Sequence, residues 1–151
     1  MPDATDRRLL RLMQNAPQAT PSALATQAGL SQSQASRRLA KLREDGTLRG
    51  AKAVIDWAAL GYAARVSLRV TLDKADPRAF DAFLAGAREI PEVTQIQTFL
   101  GRVDVRLEAV ARDMTHWQHL YRTRILSLPH IQDIEALMHV ATIKSDERLP
   151  L

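Results

Sequence analysis

The chain contains no cysteine. That excludes a disulfide scaffold and a thiolate metal site, and it is neutral about compartment. Glycine and proline are scarce, six and seven among 151 residues, and no segment is of low complexity, so disorder is expected only at the ends. Long apolar runs are missing as well. Nothing approaches the roughly 20 residues of a membrane span, and no signal-peptide core follows Met1. A soluble cytoplasmic protein with no membrane partner is the simplest expectation. No nucleophile, base and acid group together, and the four histidines, His116, His119, His130 and His139, are scattered. His116-x-x-His119 has a ligand-compatible helical spacing, but no third ligand lies near it. No metal, no cofactor and no enzymatic activity are expected.

A hydrophobic content of 46% is enough for one core or two small ones. Charge is unevenly placed. Up to Gly61 there are nine Lys and Arg against five Asp and Glu, and from Tyr62 onward twelve against twelve, so the whole excess of +4 sits in the first part. A basic module followed by a neutral one points to an anionic partner for the first only.

Within the basic part, Pro21–Leu48 reads as a helix-turn-helix. A first helix over Pro21–Ala28 puts Leu24, Ala25 and Ala28 on one side. Gly29 supplies the permissive backbone of a tight turn, Leu30 is an apolar plug, and Ser31 caps a second helix. Ser31-x-x-Gln34 has capping-box spacing, and Gly46 stops that helix after about Asp45. At 100° per residue, Ala35, Leu39 and Leu42 form one narrow stripe. Ser33, Gln34, Arg37 and Lys41 lie opposite, with Ser36 and Arg38 at the flanks and Ser31 at the start. These groups suit base edges and phosphates: Arg pairs with guanine, Gln with adenine, and Ser, Lys and Arg hold phosphate oxygens. The reading is a DNA-recognition helix for double-stranded DNA, set against an ordinary solvated face.

Asp3–Asn15 is an amphipathic helix with Leu9, Leu10, Leu12 and Met13 as its apolar residues, expected to pack behind the pair. After Gly46, Leu48–Ile55 reads as a short extended wing whose Arg49 and Lys52 could reach the DNA backbone, or as a plain connector. The first domain spans residues 1–61 and the second 62–151.

In the second domain Ala64–Leu72 alternates, with Val66, Leu68, Val70 and Leu72 on one face. Pro77–Ile90 reads as a helix capped by Asp76, Val93–Phe99 and Val103–Val110 as a hairpin about Gly101, and Asp113–Leu128 as a helix with Met114, Trp117, Tyr121 and Leu128 inward. Ile131–Ile143 is a long last strand. The order βαββαβ is the ferredoxin-like plan, so the fold class is α+β. Its second sheet face is expected to be bare and partly apolar, with Arg69, Arg106 and Glu108, and a second copy of the chain is its simplest cover.

Three stretches carry a resemblance. They are Asp3-x-x-Asp6-x-x-Leu-Leu10, then Gly29-Leu-Ser31 with Arg37-Arg38-Leu39, Leu42 and Gly46-x-Leu-Arg-Gly50, and finally Ile143-Lys144 with Leu149-Pro-Leu151. The chain resembles the Lrp/AsnC (leucine-responsive regulator/AsnC) family over essentially its whole length. The resemblance implies a winged helix-turn-helix joined to a ferredoxin-like domain that forms a homodimer, often an octamer, and binds a small effector, usually an amino acid. It implies an effector loop at Leu100, Gly101, Arg102 and Asp104, matching the family's Gly-x-x-Asp. Turn amides and Asp104 suit a carboxylate and an ammonium respectively. The loop departs from the family at Leu100, where a small hydroxyl residue is common, and at Val103 and Val105, where an aromatic is common. A second class shares the architecture: haem-pathway decarboxylases acting on a sirohaem-type tetrapyrrole, which carry a His-Asn pair on the second and third sheet strands. Here those strands read VTQIQTF and VDVRLEAV, without either.

Overall fold

The computed structural model describes residues 1–145 and 148–150. It divides into two compact units: Met1–Val54 with the described tail residues beyond Ile143, and Ile55–Ile143.

The first unit is a three-helix module of α1 (Ala4–Asn15), α2 (Pro21–Ala28) and α3 (Gln32–Glu44). Each start is capped by the side chain that the sequence offers there, Asp3, Thr20 and Ser31, and α1 and α3 both close a full capping box. Gly29 ends α2 at φ 67, a left-handed conformation that costs a β-carbon-bearing residue energy. The turn lets Leu9, Leu24, Ala25, Ala28, Ala35 and Leu39 close into one core, with Leu12, Met13 and Leu30 packed against it. The tail joins this unit through Gln14, whose amide accepts from the Leu149 N–H and donates to the Leu149 carbonyl. The final motif residue, Leu151, lies outside the described residues.

Residues 48–56 form neither helix nor strand. The expected wing therefore does not appear as a ribbon: a single extended segment needs a second strand to pair with.

The second unit is a four-stranded antiparallel sheet in the order β2-β3-β1-β4, made of β1 (Ala64–Leu72), β2 (Val93–Thr98), β3 (Val105–Ala111) and β4 (Ile131–Met138). Helices α4 (Ala79–Arg88) and α5 (Met114–Leu120) connect them in the βαββαβ order. The register sets Leu68 opposite Leu107 and Ala136, and Val70 opposite Val105 and Ile134. This inner face packs on Phe83, Ala87, Ile90, Trp117, Leu120, Ile125 and Leu128. Fully burying each large side chain contributes about 1.5–3 kcal/mol.

Several boundaries differ from the sequence pattern, each for a local reason. Asp76 caps a turn rather than the helix, since its carboxylate accepts from Arg78 N–H and its carbonyl from Ala79 N–H, so α4 starts two residues late. After α5 the chain widens into a π turn at Tyr121–Ile125, where Leu126 N–H reaches the Tyr121 carbonyl. Met114 is exposed rather than inward. β4 stops at Met138, opposite Val66, and one more bond, His139 N–H to Arg65 carbonyl, closes the ladder.

The outer sheet face also departs from expectation. The alternation sends the apolar residues of β1 inward, leaving Arg65, Ser67, Arg69 and Thr71 outward. Their cross-strand neighbours are Val110, Glu108 and Arg106 on β3 and Leu137, Glu135 and Asp133 on β4. The face is mainly polar, with Glu108 at its centre. Glu108 accepts from the Ser67 hydroxyl at 2.8 Å, while Arg106 and His139 stand 3.4 and 3.5 Å from its oxygens.

Candidate nucleic-acid interface and effector loop

Packing decides which face of α3 is free. Ala35, Leu39 and Leu42 are buried, so Ser33, Ser36, Arg37 and Lys41 on the other side are exposed. Ser31 and Gln34 are exposed but partly committed. The Ser31 hydroxyl accepts from Gln34 N–H, Gln34 Oε1 accepts from Ser31 N–H, and the Ser31 and Ser33 hydroxyls meet at 3.1 Å. These residues fix the start of α3, and Gln34 keeps its side-chain N–H groups for other work. Arg49 and Lys52 are exposed on the irregular segment that follows.

Arg38 has a different surrounding. One of its terminal nitrogens lies 2.7 Å from Asp3 and 2.8 Å from Asp6, and only a third of its side chain is exposed. The Asp6 amide, then the Arg38 guanidinium, hold the Asp3 carboxyl below the ordinary carboxylate range. Nothing in the spacing of Asp3 and Asp6 named a partner 35 and 32 positions away.

The β2–β3 loop is pinned from both sides. Phe99 N–H reaches the Asp104 carbonyl, Asp104 N–H the Val70 carbonyl, and the Thr71 hydroxyl the Arg102 carbonyl. Leu100, Gly101 and Arg102 are exposed at its tip, and Gly101 holds φ 155, where a side chain is disfavoured. Asp104 points the other way. Its side chain is 6% exposed, accepts from Leu72 N–H at 2.9 Å and meets the Lys74 ammonium at 2.8 Å. Burial opposes its charge, but Lys74 and the Leu72 amide outweigh that and hold the carboxyl below its ordinary value. Both its oxygens are thus engaged within the fold, Oδ1 by the Lys74 ammonium and Oδ2 by the Leu72 N–H, and the sequence reading did not single out Lys74.

His116 Nδ1 accepts from Arg112 N–H, and its other nitrogen lies 3.6 Å from Glu92. Among the described residues no three His, Cys, Asp or Glu side chains are placed to hold a metal, and no helix is long and apolar enough to cross a membrane. Neither β2 nor β3 carries His or Asn.

A capped helix-turn-helix in one unit and a helix-backed antiparallel sheet in the other define a class, the two-domain transcriptional regulators that bind DNA. Residues 2–49 match the winged helix-turn-helix DNA-binding model, and residues 65–149 match the Lrp/AsnC ligand-binding domain. The chain belongs to the Lrp/AsnC family. The proline dehydrogenase transcriptional activator of Rhodobacter capsulatus is 29% identical over 129 residues, spanning 85% of this chain and 84% of that protein. The DNA-binding transcriptional activator DecR of Escherichia coli K12 is 26% identical over 151 residues, 100% of this chain and 99% of its own. A Neisseria meningitidis transcriptional regulator crystallised with L-Met has the same fold, with a TM-score of 0.90 at 28% identity over 98% of this chain and 96% of that one.

Proposed function

We propose that the chain binds operator DNA in the cytoplasm as a homodimer, with octamers built from such dimers, and acts by binding rather than catalysis. Ser33, Gln34, Ser36, Arg37 and Lys41 on α3 enter the major groove, with Ser31 and the basic Arg49 and Lys52 on the backbone. The observation that carries this is the exposed row Ser33, Ser36, Arg37 and Lys41 directly behind the buried stripe of α3. A dimer sets two such helices on half-sites one helical turn apart, or a multiple, so the site is roughly palindromic.

The test is selection of duplexes from a random pool, followed by anisotropy titrations with the parent and two variants. Arg37→Ala should reduce discrimination between selected and random DNA by about 1–3 kcal/mol, and Lys41→Ala should mainly lower the salt slope, by about 1. Variants that match the parent on both duplexes would sink the assignment of this face.

The same reading gives the Leu100–Asp104 loop a small effector, an amino acid foremost, as in the Neisseria relative's complex with L-Met. Loop amides and Arg102 suit its carboxylate, and Leu100 an apolar side chain. Its amine would compete with Lys74 for Asp104. A thermal-shift screen of amino acids tests this, since a ligand at 100 times its Kd stabilises the folded state by about 2.7 kcal/mol.

A further inference from the structure

The Asp3, Asp6 and Arg38 cluster joins the first turn of α1 to the middle of α3, the helix that would read DNA. All four carboxylate oxygens are used. Asp3 Oδ1 accepts from Asp6 N–H at 2.8 Å and Asp6 Oδ2 from Asp3 N–H at 3.0 Å, which closes the α1 capping box. The two remaining oxygens, Asp3 Oδ2 and Asp6 Oδ1, both receive Arg38 Nη1, at 2.7 and 2.8 Å. That nitrogen carries two protons, one for each acceptor. Two carboxylates against one guanidinium leave the cluster with a net charge of −1, which repels a phosphate. Arg37 and Lys41, on the same cleft, have no such partner at ion-pair distance among the described residues.

We infer that Arg38 is a positioning residue: it does not grip DNA but, through Asp3 and Asp6, holds α3 at the angle from which its other side chains read bases. The hydrophobic stripe of Ala35, Leu39 and Leu42 fixes which side of α3 faces inward, but three apolar residues in a narrow row hold the rotation about the helix axis less firmly than a directional contact does. Arg38 is the next residue round from that stripe, and the pair of ionic bonds removes this freedom. The inference rests on the DNA reading of α3. It predicts that Asp6 and Arg38 act as one unit, whereas a phosphate-gripping Arg38 would be restrained by Asp6 and freed by its loss.

Those alternatives have opposite signs. Affinities for a selected duplex and a random one would be measured from 50 to 200 mM salt for the full-length parent, Arg38→Gln, Asp6→Asn and the double variant, with Arg37→Ala as reference. If Arg38 positions, each single variant weakens the selected duplex about tenfold, leaves random DNA within about twofold and keeps the parent's salt slope, and the double variant is no worse than either single one. If Arg38 grips phosphate, Arg38→Gln weakens both duplexes and lowers the slope by about 1, while Asp6→Asn tightens binding; that result overturns the inference. Should Arg38→Gln fail to fold, Arg38→Lys decides. A lone ammonium preserves a phosphate contact, so parent-like discrimination overturns the inference, whereas lost discrimination at an unchanged slope supports it. A parent that prefers no duplex at all overturns the DNA reading and the inference together. A parent that discriminates, with Arg37→Ala impaired and Arg38 variants unimpaired, overturns the inference alone.

Discussion

At the scale of the residue, Asp104 shows how a resemblance and a fold can assign one carboxylate different work. By pattern it is the acid of an effector loop; in the fold it ties that loop to β1 and to Lys74. Asp104→Ala leaves the buried Leu72 N–H without a partner, so it should destabilise by about 1–3 kcal/mol. At about 4–8 °C per kcal/mol for a domain of this size, the loss is plain in a melting curve even without ligand. A variant melting within a degree of the parent would show that the carboxylate is not structural. Asp104→Asn isolates the charge. Because the folded carboxyl lies below its ordinary value of about 3.9, its contribution is fully present above that pH and fades as pH falls further. The parent should therefore melt above Asp104→Asn at pH 7, and the two curves should draw together below about pH 4. A gap that stays constant down to pH 3 would remove Lys74 as its cause.

At the scale of the element, the α2-turn-α3 unit was the most legible part of the sequence. Every signal there is local: Ser31 as the cap with Gln34 in its capping box, Gly29 in the left-handed turn, and Gly46 beyond α3. Gly29→Ala tests how much the turn depends on backbone freedom. A β-carbon there meets no atom within 4 Å, so any cost is conformational rather than steric. It should be about 1–2 kcal/mol, visible as an earlier melting transition and a loss of DNA binding near that temperature. An unchanged melting point would mean that the turn relaxes out of the left-handed region. The connecting segments were much less legible. Asp76 is an equally good cap for a helix or for a turn, and only the position of Ala79 in the core separates the two. Between the two readings of Leu48–Ile55, a ribbon and a plain connector, the sequence could not choose for a related reason: alternation and charge describe a strand's own residues, while pairing needs a neighbour.

At the scale of the molecule, the basic charge and the recognition helix fall in one unit and the sheet in the other. Self-association is therefore expected to belong to the sheet. Its outer face is polar around Glu108, with Leu137 beside Ser67 as one of its few apolar members. Sedimentation velocity on the full-length parent at micromolar concentration should show a dimer or larger. Leu137→Asp adds a charge on that face without touching the inner core, and should shift the population toward monomer while the far-UV spectrum is kept. A parent that sediments as a monomer would leave the outer face without its proposed cover, and a variant that stays dimeric would move the interface elsewhere.

The residues alone determined the caps, the two periodicities, the βαββαβ order and the basic outer face of α3, because each depends on neighbours within a turn or a strand. Only the tertiary structure decided what the charged side chains do. Arg38 finds its acceptors 32 and 35 positions earlier, and Asp104 its ammonium 30 positions earlier, across elements whose juxtaposition comes from burying Leu9 against α3 and Val70 against Val105. Ionic partners are chosen last, by whichever groups the hydrophobic packing has already brought within reach.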